Sequence, residues 1–167
     1  MKRIFIAIEL PRKIKAKLTN IQKNFSNLKA KWVKPEHLHM TLVFLGNIAE
    51  QRISEIEKNC SKNARKFSTF KIEFIGLGAF PNSTRPHTLW VAVKDSENLI
   101  QLQRKLSQGL RKLGFQIEDR QFSPHLTLAR LKKRSNLKEQ ISKYQKVNFG
   151  KMIVGEFDLF ESQLFAV

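Results

Sequence analysis

The chain has 167 residues, a single cysteine, and 31 Lys and Arg against 14 Asp and Glu, a formal charge of +17. That length suits one compact domain with a real core and holds no apolar run long enough to span a membrane; one cysteine excludes an internal disulfide and a thiolate metal site built by this chain alone. The excess of positive charge attracts a polyanion and so points to nucleic acid, though a lysine-rich solvated surface gives the same charge, and neither source specifies a chemistry.

The opening "MKRIFIAIELPRK" places a basic pair before an apolar stretch. Glu9 interrupts that stretch, and it runs into Pro11 with no small-residue cleavage site, so residues 3–10 read as a strand and not a signal peptide. With the lone cysteine this predicts a protein of the reducing cytoplasm. Ile14, Leu18, Ile21, Phe25 and Leu28 recur at three or four and predict an amphipathic helix over 14–28. A second strand follows over 38–45, closed by Gly46-Asn47, and a second helix over 50–65 carries Ile53, Ile56 and Cys60 on one side.

"FKIEFIGLGAF" (70–80) and "TLWVAVK" (88–94) read as two strands of a long hairpin joined by "PNSTRPH". A third helix spans 96–113 with Leu99, Leu102, Leu106, Leu110 and Leu113 as its stripe, and Gly114 sits where a C-terminal cap belongs. A loop at 116–124, a strand at 125–131, a short helix around 136–145 and a strand-like tail from 149 to 167 complete the order. Strand, helix, strand, helix, strand therefore occurs twice, which implies a two-lobed α/β or α+β domain with helices outside.

Each half carries one H-x-T-L strand, "HMTL" at His39 and Thr41 and "HLTL" at His125 and Thr127. Side chains alternate along a strand, so each His and Thr share a face opposite the leucines. If the leucine faces pack on helices, the two pairs bring two imidazoles and two hydroxyls to one cleft. Such a set suits opening a cyclic phosphodiester with water. One histidine, with an ordinary pKa of about 6.5, takes the proton of the attacking water, the other gives one to the departing sugar oxygen, and the threonines donate to the phosphate oxygens. No metal is needed. His37 and His39 lack the carboxylate or cysteine neighbours that a zinc site takes, so His37 reads as a rim residue and His87 as a loop residue near substrate.

On "RIFIAIELP", "KWVKPEHLHMTLVFLG", "GLGAFPNSTRPHTLWVAV" and "FSPHLTLARL", which together span essentially the whole chain, the sequence resembles the two-histidine phosphoesterase superfamily. Within it the chain is similar to the RNA 2′,3′-cyclic phosphodiesterases, formerly called 2′-5′ RNA ligases. The resemblance implies a single α+β domain over 1–167 made of two pseudo-symmetric lobes, each an antiparallel sheet with helices packed outside, around a central cleft. It implies His39 as proton donor, His125 as proton acceptor, Thr41 and Thr127 on the phosphate oxygens, a 2′-phosphomonoester product, no cofactor, and RNA with cyclic phosphate ends as partner of a monomeric protein.

The family often has Pro-Arg before the strand of Trp90, whereas this chain has Arg85-Pro86-His87, which leaves a phosphate contact there to Arg85 or His87. Arg130 falls with Leu126 and Leu128 under strict alternation and reaches the cleft only if the strand bulges or ends. Trp32, Phe44, Phe80, Trp90 and Phe122 are candidate surfaces for stacking on a base, and each also fits the core; Phe122, just before the second motif, is the favoured one. Two rival functions use the same residues. One is a reversible 2′-5′ ligase, in which acid and base exchange roles, and the other is a non-catalytic RNA-binding module on the same fold.

Overall fold

The structure of the protein, a computed structural model, describes residues 1–162. Its elements are β1 (Lys2–Glu9), α1 (Arg12–Lys23), β2 (Ala30–Trp32), β3 (His39–Ile48), α2 (Ile53–Ala64), β4 (Phe70–Phe80), β5 (Thr88–Lys94), α3 (Glu97–Lys112), β6 (His125–Leu131), α4 (Lys138–Ser142), β7 (Asn148–Val154) and β8 (Asp158–Glu161). Single 3-10 turns at Pro35–His37 and Glu50–Arg52 lead into β3 and α2. The expected hairpin and the second motif strand have the bounds read from sequence. The first helix stops at Lys23, five residues short of the expected end, and the chain turns so that Phe25 is buried without continuing the helix. Residues 163–167 of the strand-like tail lie outside the described residues.

The strands form two antiparallel sheets, β3-β1-β8 and β2-β6-β5-β4-β7. These sheets do not follow the two sequence halves. β2, only three residues long, leaves the first half to pair with β6, and β8 returns from the far end of the chain to pair with β1. The helices cross over too: α3 packs on β3 and against α2, while α1 packs on β7 and α4 on β4. The α+β, two-lobed architecture is the expected one, with the lobes laced together by exchanged elements.

The core lies between helices and the leucine faces of the sheets. Leu38, Met40 and Leu42 before and within β3, Leu126 and Leu128 in β6, and the stripe Leu99, Leu102, Leu106 and Leu110 of α3 are all buried. Burying these apolar groups supplies the drive to fold and turns the opposite, motif-bearing faces outward. Helix α3 ends as its glycine foretells. Gly114, at φ +84°, donates to Arg111 O at 2.9 Å, and Phe115 donates to Leu110 O at 3.1 Å, the two hydrogen bonds of a Schellman cap.

Candidate active site

The strands β3 and β6 belong to different sheets yet lie against each other, which brings the two motifs together across the junction of the lobes. In each strand the leucine of H-x-T-L is an extra residue in the ladder. On β3, Thr41 pairs with Ala7 and Val43 with Ile6, leaving Leu42 over; on β6, Thr127 pairs with Trp90 and Ala129 with Leu89, leaving Leu128 over. A bulge of this kind places two successive residues on the buried side and reverses the alternation beyond it. Leu42 and Val43 are accordingly both buried, as are Leu128 and Ala129.

The second bulge settles where Arg130 points. Arg130 pairs with Thr88, and Thr88 shares its face with Trp90, the partner of Thr127, so Arg130 is exposed on the same side as His125 and Thr127. On its other flank Arg130 pairs with Lys31 of β2. Two like charges directly opposite each other destabilise a sheet, and neither has a carboxylate partner among the described residues, so this row offers an anion a place. The unpaired leucine was the missing signal: sequence alternation alone put Arg130 among the buried leucines.

The two imidazoles are packed differently. The Nδ1 of His125 lies 2.7 Å from Ser123 O; a carbonyl can only accept, so Nδ1 carries the hydrogen and the neutral ring keeps its lone pair on Nε2. At His39 the backbone of His37, two positions before it, acts to raise the pKa of the imidazole. Edge-on aromatic rings hold His125, Phe80 at 4.9 Å and 89° and Trp90 at 6.1 Å and 61°. His39 instead lies more nearly parallel to its neighbours, Phe5 at 4.9 Å and 33° and Phe160 at 5.9 Å and 21°. Burial among these rings lowers the pKa of His39 below 6.5 against the raising effect of the His37 backbone; the nearby charges of His37 and Lys15 lower it further.

Thr41 is exposed and Thr127 half-buried, and neither hydroxyl hydrogen-bonds within the described residues, so both are free to donate to a ligand. Arg85 is exposed in the loop 81–87, which Asn82 shapes by accepting from Thr84 N at 3.1 Å and Arg85 N at 3.0 Å. His87 is exposed just before β5, one residue out of step with the cleft-facing Thr88 and Trp90. Phe122 packs partly buried on the core beside the motif loop. His37 is exposed at the end of its 3-10 turn. Among the described residues no group of three or more His, Cys, Asp or Glu is placed to hold a metal ion.

A family model described as LigT-like phosphoesterase matches residues 8–90 and, a second time, residues 91–166, one match for each H-x-T motif. Over 164 residues the chain is 38% identical to the RNA 2′,3′-cyclic phosphodiesterase of Archaeoglobus fulgidus, covering 97% of this chain and 92% of that one. Its fold is similar to a crystal structure of a protein from Thermus thermophilus, with TM-score 0.85 and 29% identity over 98% of this chain and 90% of the other. It is also similar to Escherichia coli LigT complexed with 3′-AMP, with TM-score 0.76 and 28% identity over 99% and 90% of the two chains. With both motifs carried in matched halves, the chain belongs to the LigT-like phosphoesterase family.

Proposed function

We propose that the protein hydrolyses the 2′,3′-cyclic phosphate at the end of an RNA to a 2′-phosphomonoester, by general acid–base catalysis between His39 and His125. The observation that carries this reading is the hydrogen bond from His125 Nδ1 to Ser123 O, which leaves Nε2 as a basic lone pair on the cleft side of β6. The cyclic phosphodiesterase relative supports the substrate class. In the reaction Nε2 takes a proton from water, the water oxygen bonds to phosphorus, and the bond from phosphorus to O3′ breaks. His39 gives the proton that O3′ needs to leave as a hydroxyl. Thr41 and Thr127 donate to the non-bridging oxygens, and Arg130 with Lys31 supplies a positive field for the phosphate and the strand that carries it. The scheme calls for no cofactor.

A synthetic oligoribonucleotide ending in 2′,3′-cyclic phosphate, incubated with excess EDTA, tests it. A product of unchanged length whose new 2′-phosphate is removed by phosphatase is the expected result. Longer products formed only when a 5′-hydroxyl acceptor is added assign the protein to ligation, and binding without turnover assigns it to recognition alone. Loss of activity in EDTA with recovery on one divalent ion refutes the two-histidine scheme.

A further inference from the structure

Three segments that meet around β6, residues 29–34, 81–88 and 125–134, hold eight Lys and Arg and no Asp or Glu. Hydrogen bonds fasten them together: Lys132 N donates to Lys29 O at 2.8 Å, one step beyond the Ala30–Leu131 pair, and Leu131 N donates to His87 O at 2.8 Å. Lys29 therefore stands beside Lys132 as Lys31 stands beside Arg130, and by alternation along β2 the two lysines share a face. The result is a ladder of cations. It starts at Arg130, on the face of His125 and Thr127, and leaves the cleft at about 7 Å per rung. Lys133 and Arg134 continue it into the following bend, and all six of these side chains are exposed, with no carboxylate partner among the described residues.

The other lobe has the opposite character. Glu9, Asp158 and Glu161 lie on β1 and β8, and two of the cations beside them are already engaged, Lys2 with Glu161 at 3.1 Å and Lys15 of α1 with Glu9 at 3.1 Å. An RNA whose end sits at the motifs meets carboxylates on one side and an uncompensated row of cations on the other. Like charges set opposite each other destabilise the sheet until an anion lies over them, so the β2–β6 edge gains more from a polyanion than scattered lysines do.

We propose that the Lys29–Lys132 rung and the bend beyond it bind the backbone phosphates of the nucleotides that precede the cyclic end, so that a single-stranded RNA leaves the cleft along β2 and not across β8; the inference rests on the cyclic-phosphate reading above. The Lys31–Arg130 rung serves the phosphate at the motifs, and the next rung serves the chain behind it. Phosphate contacts fix the position of a strand without reading its bases, so this track selects for length and not for sequence.

The test compares kcat/KM on adenosine 2′,3′-cyclic phosphate with that on an oligoadenylate of about four nucleotides ending in the same group. Wild type is expected to prefer the oligonucleotide. Lys29→Ala combined with Lys132→Ala is expected to lose about 2- to 30-fold on it, the worth of two exposed charge pairs, and its salt slope falls by about 1.4, two phosphate contacts on a single strand. On the mononucleotide, which does not reach the second rung, the change stays within about twofold. Lys105→Ala combined with Lys112→Ala removes the same charge from exposed positions of α3 and leaves the preference for the oligonucleotide as in wild type. Equal losses from the two double variants, or a wild type with no preference for the oligonucleotide, overturn the track while mononucleotide turnover leaves the reaction intact. Wild-type protein that opens neither substrate overturns the reaction and the track with it.

Discussion

The six-membered ring of Trp90 fills the space that a side chain at Gly78 would need, and the two residues are direct cross-strand partners on β5 and β4. Trp90 is thus fixed by contact. Its indole nitrogen is shielded from solvent and makes no hydrogen bond among the described residues. Because Trp90 and Phe80 form the wall behind His125, Gly78 sets that wall at one remove.

Gly78→Ala is therefore expected to destabilise the fold by about 1–3 kcal/mol, the usual cost of overpacking. It should also lower kcat by displacing the wall behind His125. In a Trp90→Ala background the same glycine substitution should cost far less, because the clashing ring is gone. Thermal unfolding of the four proteins checks it; equal costs in both backgrounds would show that Trp90 is not what the glycine accommodates.

The depressed pKa of His39 fixes the sign of a pH dependence. A donor must be protonated in the free enzyme, so kcat/KM is expected to fall as pH rises through a value below 6.5. The bound phosphate anion favours the imidazolium, which moves the corresponding fall in kcat to higher pH. Were His39 the base, the same pKa would appear as a rise of kcat/KM with pH. Profiles on a cyclic mononucleotide distinguish the two.

Replacing His39 or His125 with Ala should each cost on the order of 10² to 10⁴ in kcat. An aryl phosphodiester whose leaving group has a pKa of about 7 scarcely needs a donor. His39→Ala is expected to recover most of its relative activity on that ester, whereas His125→Ala, lacking the proposed base, is expected to stay impaired. Rescue of His125→Ala in place of His39→Ala reverses the assignment.

Opposed like charges at Lys31 and Arg130 lead to a salt effect. KM for an oligoribonucleotide should climb more steeply with salt than KM for a cyclic mononucleotide, since the longer anion releases more counterions. Lys31→Ala should reduce the oligonucleotide slope by about 0.7, the share of one phosphate contact on a single strand. A slope unaltered by the substitution places the RNA elsewhere on the +17 surface.

Hydrophobic periodicity carried much of this fold. β4, β5 and β6 begin and end where their apolar runs do, and the leucine stripe of α3 with Gly114 marked both its face and its stop. Both motif pairs face away from the buried leucines, as alternation requires. β2 was illegible because three residues carry no period, and its extended form comes from pairing with β6. The bulges were equally hidden, because an unpaired leucine is defined by the neighbouring strand. Arg130 was placed among the buried leucines for that reason, and Phe44, which by sequence also fits the core, is exposed. The aromatic setting of His39 was hidden by distance along the chain, since Phe5 and Phe160 meet only in the assembled sheet.

That sheet also sets an order of events. β8 reaches β1 across nearly the whole sequence, with Glu161 opposite Ile4 and Phe160 opposite Phe5. During synthesis, at about 5–20 residues per second, β1 and β3 leave the ribosome well before β8, the strand that completes their sheet. Non-local pairing of this kind is slow to form as well. A nascent chain long enough to display both H-x-T motifs still lacks Phe160, the second of the two rings beside His39, so the surroundings of that imidazole are complete only once β8 has followed both motifs out of the ribosome.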